Sequence, residues 1–164
     1  MKTSTIPAET ARIADELARA TDGDPWHGPA IADNLSGLSA AQANTRPIKN
    51  AHTVWEIVHH LTAWAIEVEA RLGRDARPIV GQEDWPPVAT SDEESWEAAK
   101  ATLVRAHARL RATIREFPPS RLGETVDFGP GEPPGSFYFM LHGLAQHDAY
   151  HSGQIGILRK ALLG

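Results

Sequence analysis

Between Thr53 and Leu162, apolar side chains return at steps of three and four residues in three long stretches. That rhythm marks helices with one buried face, and strand-like alternation is weak throughout, so the chain is expected to fold as packed helices. The first stretch carries Val54, Ile57, Val58, Leu61, Trp64, Ala65, Val68 and Leu72. The second carries Trp96, Ala99, Leu103, Ala106, Leu110, Ile114 and Phe117. The third carries Phe137, Met140, Leu144, Ile155, Leu158 and Leu162. A shorter one, Ala8 to Ala20, precedes them with Ile13 and Leu17 on one face.

End signals agree with these spans. Thr53-x-x-Glu56 has the form of a capping box, and Gly73 suits a helix stop. Ser91 or Asp92 opens the next helix, and Pro118-Pro119 ends it. The segment around Ala30 to Leu38 reads as a short helical piece, and Ser39 to Asn50 as a polar connection. Asp75 to Thr90, with its prolines, and Leu122 to Ser136, rich in Gly and Pro, read as long connections. Four amphipathic helices joined this way predict an all-α four-helix bundle with long crossovers, one domain over 1–164.

Composition narrows function more than fold. The formal net charge is -5, and no cluster of Lys and Arg stands out, which argues against nucleic-acid binding. There is no cysteine, so disulfides, thiolate ligands and a Cys nucleophile are excluded, as suits a cytoplasmic protein. Met1 to Ala20 has no signal-peptide pattern, and no apolar run approaches the roughly 20 residues that span a bilayer.

Eight histidines are the unusual feature. His147 and His151 lie four apart on the last helix, at the edge of and within its apolar stripe, so both rings stand on one face. Two imidazoles at that spacing can bind one metal ion. On the Thr53 helix, His60 projects about 100° from the centre of the stripe, beside Trp64, and His59 about 160° away, toward water. His60 is therefore the third candidate ligand. Burying three imidazoles without partners would cost on the order of 1–3 kcal/mol each, which a divalent cation relieves. Three protein ligands leave a position for water or substrate, the pattern of a catalytic site. Imidazoles suit zinc, nickel, copper or iron alike. The plain alternative is a pair of surface or core histidines with no ion.

His147-Asp-Ala-Tyr-His151-Ser-Gly-Gln154-Ile resembles the C-terminal metal motif of the DinB-like (DinB/YfiT-like) family. Asn50-Ala-His52-Thr-Val-Trp55-Glu-Ile-Val-His59-His60-Leu61 is similar to its second-helix motif, in which the ligand is the histidine directly before the Leu. Trp26-His27-Gly28-Pro29, Glu83-Asp84-Trp85-Pro86 and the Trp96 helix resemble one branch of that family, so the likeness covers nearly the whole chain. It implies a four-helix bundle with a three-histidine site, often in a homodimer. It also implies a metalloenzyme of thiol-dependent S-transferase or hydrolase type acting on a small-molecule substrate; the ion expected is zinc or nickel, one per chain. The competing expectation is a metal-binding stress-response or interaction module without turnover.

The remaining candidates keep two readings each. His52 carries a proton at the mouth of the site, or packs against the helix start; His27 shares that ambiguity. Tyr150 orients a substrate, or is an exposed or interface ring. His107 is a fourth ligand that closes the site, or a core-edge histidine bonded to a neighbour. Gln154 bonds the second nitrogen of a ligand, or bridges helices. His142 is expected to be exposed. Gly143, Gly153 and Gly156 are expected to allow close approach of a neighbouring helix or chain.

Overall fold

The computed structural model describes residues 8–73, 79, 81–129 and 131–164. Four long helices follow the predicted spans: α1 (Glu9–Asp22), α4 (Val54–Leu72), α5 (Glu93–Glu116) and α6 (Phe137–Leu163). Two short ones, α2 (Ile31–Leu35) and α3 (Ala40–Ala43), lie between the first two. The Ala30 to Leu38 helix is thus shorter than expected, and part of the supposed polar connection is helical. The reason is local. Ser39 Oγ accepts the Gln42 backbone N–H at 3.3 Å, and Gln42 Oε1 accepts that of Ser39 at 2.9 Å. This capping box starts a turn that the apolar pattern does not announce.

Thr53 caps α4 in the same reciprocal way: its Oγ1 accepts the Glu56 N–H at 3.1 Å, and Glu56 Oε2 accepts its N–H at 2.7 Å. Asp92 caps α5 and Ser136 caps α6 through one side-chain acceptor each. The connection before α5 falls partly outside the described residues; within it, 81–83 form a 3-10 turn. The connection before α6 contains a two-residue antiparallel pair, β1 (Thr125–Val126) with β2 (Gly135–Ser136). The architecture is all-α, with α4 packed on α5 and α6, and α1 on the same two helices.

Buried apolar residues fall into two clusters along the bundle. One joins Ile13 and Leu17 to Val68, Leu72, Leu110, Ile114, Phe137, Leu141 and Leu144. The other joins Ile31 and Leu35 to Trp55, Ile57, Leu61, Trp96, Leu103, Ile155 and Leu158. On α4, α5 and α6 the change of cluster falls beside a buried polar residue: His60 on α4, His107 on α5, Asp148 and His151 on α6. A polar layer therefore separates two apolar cores.

Against α6, the short α2 is fixed by polar contacts. Asn34 Nδ2 donates to Ser152 Oγ at 3.0 Å and to its carbonyl at 3.1 Å. Gly156 lets it approach, because a Cβ there would lie 3.3 Å from Asn34 Oδ1. Gly143 and Gly153 do not serve this purpose within the chain. A Cβ on either meets nothing within 4 Å, so no neighbouring helix requires them.

Candidate metal centre

The three predicted ligands converge. His60 comes from α4, and His147 and His151 come one turn apart from α6; one nitrogen from each lies within 4.8 Å of the others. The Nε2 atoms of His60 and His147 are 2.9 Å apart. Two nitrogens bound to one ion at about 2.1 Å lie roughly 3–3.4 Å apart in octahedral or tetrahedral geometry, so the His60–His147 pair is close to the spacing of two ligands of one small divalent cation, and His151 completes a group that could hold it. His60 and His151 are buried and His147 is half-buried.

The far side of two rings is held. His60 Nδ1–H donates to the Asp84 carbonyl at 2.8 Å and lies 3.1 Å from Asp84 Oδ1, which also accepts the Trp64 indole N–H at 2.8 Å. His151 Nδ1 is 2.6 Å from Gln154 Oε1, and Gln154 Nε2 donates to the Tyr150 hydroxyl at 2.9 Å. With the proton fixed on Nδ1, each ring presents an Nε2 lone pair to the centre, the form a metal requires. Gln154 thus takes the first of its two readings, as a partner of a candidate ligand.

Electrostatics act in the same direction. Burial lowers the pKa of His151 to about 4, and the neighbouring His147 and His60 add to the effect. Burial also lowers that of His60, against the opposing pull of the Asp84 hydrogen bond. Both groups are neutral at pH 7 and available to a cation.

An aromatic lid covers the α4 side. The Trp85 ring stacks between two imidazoles, 3.5 Å from His52 and 3.9 Å from His60 by ring centroid, with planes within 6° in each case. His52 thus packs over the helix start, with Nδ1 3.3 Å from Glu56 Oε2, and stands next to the site without joining it. Tyr150 is exposed, its ring 5.0 Å from that of His151. His27 is exposed and outside the cluster.

Two expectations need correction. His59 does not face water. Its Nε2 accepts the Trp55 indole N–H at 3.0 Å, and its Nδ1–H donates to the Pro86 carbonyl at 3.1 Å. The 84–86 turn folds over that side of α4, which helical phase alone leaves open. His142 is half-buried, 3.4 Å from both Glu9 and Glu16 of α1. His107 takes the second of its two readings, a histidine bonded to its neighbours: it is fully buried, and Nδ1–H donates to the Leu103 carbonyl at 3.0 Å and Nε2–H to Asp148 Oδ2 at 3.2 Å.

Asp148, Asp84 and Trp85 were not singled out as site residues. For Asp148 a signal existed. Leu141, Leu144, Asp148, His151, Ile155 and Leu158 alternate steps of three and four, so an acid sits in mid-seam, where an unpaired charge is not tolerated. For Asp84 and Trp85 no period applies, because they lie on a turn.

Fold and centre together define a class: an all-helical bundle with a buried three-histidine group that could hold a metal ion. A model of the DinB superfamily matches residues 29–155, and the chain belongs to that superfamily. The match spans both candidate ligand motifs. No curated protein and no solved structure matches the chain.

Proposed function

We propose that this DinB-superfamily chain is a metal-dependent enzyme. In this reading His60, His147 and His151 hold one zinc or nickel ion through Nε2, and a small-molecule substrate occupies the coordination positions left open. The observation that carries it is the convergence of three imidazoles, two buried and one half-buried, two of them backed by acceptors that fix their tautomer. A divalent ion in such a set supplies Lewis acidity to a water or thiol at its open positions.

Among the described residues no fourth side chain joins the three histidines, which favours catalysis over a closed structural site. The candidate fourth ligand, His107, is turned to Asp148 and Leu103. Trp85 and Trp64 exclude water from the α4 side, and the Asp84 carboxylate holds Trp64 and His60 in register. At the rim, Tyr150 offers a hydroxyl to a substrate and His52 a ring nitrogen for proton transfer, with Glu56 behind it. The reaction class we assign is transfer to a low-molecular-weight thiol, or hydrolysis. A homodimer in the cytoplasm, without nucleic-acid or membrane partners, completes the proposal. Among the described residues no helix is long and apolar enough to cross a membrane.

The test begins with elemental analysis after reconstitution with each ion. Close to one zinc or nickel per chain is expected, and none with either ion defeats the reading. His147→Ala should abolish stoichiometric binding, whereas His59→Ala should retain it, because His59 only braces the turn that carries Asp84. Turnover of electrophilic acceptors by the loaded protein, with and without small thiols, separates transferase from hydrolase; turnover of neither favours a metal-binding module. Light scattering should give about twice the 17.8 kDa of one chain.

A further inference from the structure

Two buried polar atoms beside the centre have no hydrogen-bond partner: His147 Nδ1 and Asp148 Oδ1. They lie 3.9 Å apart, beyond hydrogen-bond length. A buried donor or acceptor left without a partner is expensive, and here two of them face each other.

The hydrogen-bond pattern explains the pair. His60 carries its proton on Nδ1, because only an oxygen acceptor faces that atom. Its Nε2 is then a bare lone pair, 2.9 Å from His147 Nε2. Without an ion, that contact is attractive only if His147 is the donor and carries its own proton on Nε2. His147 Nδ1 is then a lone pair opposite a carboxylate oxygen, and the two cannot bond.

Relocating one proton resolves the conflict. If His147 loses the Nε2 proton and takes one at Nδ1, the ring stays neutral. Its Nδ1–H then has Asp148 Oδ1 as acceptor, and its Nε2 lone pair joins those of His60 and His151. The other carboxylate oxygen is already occupied by His107, which is held in place by the Leu103 carbonyl.

We infer that Asp148 is the positioning residue of the centre. Its free oxygen selects the His147 tautomer that presents Nε2 to a metal ion, and His107 locks the carboxylate in that orientation. The inference rests on the metal reading proposed above and adds to it an asymmetry. His151 is backed by the neutral amide of Gln154, and His60 by the Asp84 carbonyl with the Asp84 carboxylate 3.1 Å away, whereas behind His147 Nδ1 stands the Asp148 carboxylate. Outer-shell carboxylates of this kind raise ligand basicity and fix ring orientation.

Two measurements test it. In the first, zinc affinity is compared for wild type and Asp148→Asn, with the stability of the metal-free forms recorded alongside. Asparagine keeps the shape and can still bond His107, but lacks the charge. The expected result is a 10- to 100-fold weaker zinc affinity, larger than any change in metal-free melting accounts for. Affinity within twofold of wild type, with or without a drop in melting temperature, reduces Asp148 to a structural residue and overturns the inference. The second needs no variant, so it stands even if Asp148→Asn fails to fold. In nitrogen-15 spectra of zinc-loaded wild type, the His147 Nδ1 proton should be visible, downfield and protected from exchange. A proton that exchanges freely with water has no Asp148 partner, and the inference falls. If wild type takes up no metal, the metal reading itself has failed, an outcome distinct from a loaded protein indifferent to Asp148.

Discussion

Among the described residues the bundle contains two ion pairs with both partners buried, and they differ in a way that separates structure from function. Arg71 and Glu67 sit one turn apart on α4, both nearly fully buried, joined at 2.7 Å from Nε to Oε1. Arg71 also lies over the Phe128 ring, 5.6 Å from its centroid. The pair is local to one helix, and neither side chain leaves a buried atom unpartnered. His107 and Asp148 come from different helices, and their contact leaves one carboxylate oxygen unpartnered toward a candidate metal ligand. Burial opposes both charges, but each stabilises the other: His107 titrates above its ordinary value and Asp148 below. A saturated pair holds a helix in place. A pair with a spare acceptor can hold something else.

The contrast can be broken experimentally, and the largest effect belongs to the pair without a functional role. Glu67→Leu strands a buried guanidinium and should cost about 3–5 kcal/mol of stability, read by urea unfolding. Zinc affinity should change less than twofold, and a large loss of affinity would make the two pairs equivalent.

His107→Gln should cost less, about 1–3 kcal/mol, because the amide can still donate to Asp148. Here zinc affinity should fall as well, since the carboxylate is held less firmly. Unchanged affinity at reduced stability would place His107 with Arg71 as a purely structural residue.

pH sharpens the comparison next. His151 titrates near 6.5 in the unfolded chain and at about 4 in the folded protein. Below about 6.5 the unfolded chain binds a proton that the folded one refuses, so stability contributed by this group is full above that pH and declines toward 4. His60, also lowered, acts in the same direction. His107, raised by Asp148, acts oppositely: its contribution is full below about 6.5 and is lost as pH rises through its folded value. Metal-free protein should therefore lose stability in urea between pH 6.5 and 4.5. Saturating zinc should raise stability near pH 6.5 and make the decline steeper, because its contribution is lost as protons displace it. A flat profile in the metal-free protein would mean that the imidazoles are not shielded as the fold suggests.

The smallest effect expected is from replacing the saturated pair entirely. Glu67→Leu with Arg71→Met should come within about 1 kcal/mol of wild type, because no stranded charge remains. A double variant as unstable as the single would show that Arg71 contributes through packing on Phe128.

Much of this was legible in the sequence for one reason: helical period is a local property. Apolar steps of three and four placed the four long helices, and Thr53, Asp92 and Gly73 marked their ends. The same arithmetic put His147 and His151 on one face of α6 and picked His60 over His59 as the one to meet them. An acid in the α6 seam was also present to be read, at Asp148.

What phase could not reach is whatever a turn brings back over a helix. The 84–86 turn half-covers His59, stacks Trp85 on His60 and supplies the Asp84 acceptor, and no repeat in the sequence encodes where it lands. Nor could spacing within α5 say whether His107 would look at the centre or at Asp148, since both lie inward of that helix. Period fixes which side of a helix a residue occupies, because the backbone sets about 100° per residue. Which atoms meet across helices depends on packing that only the folded chain establishes.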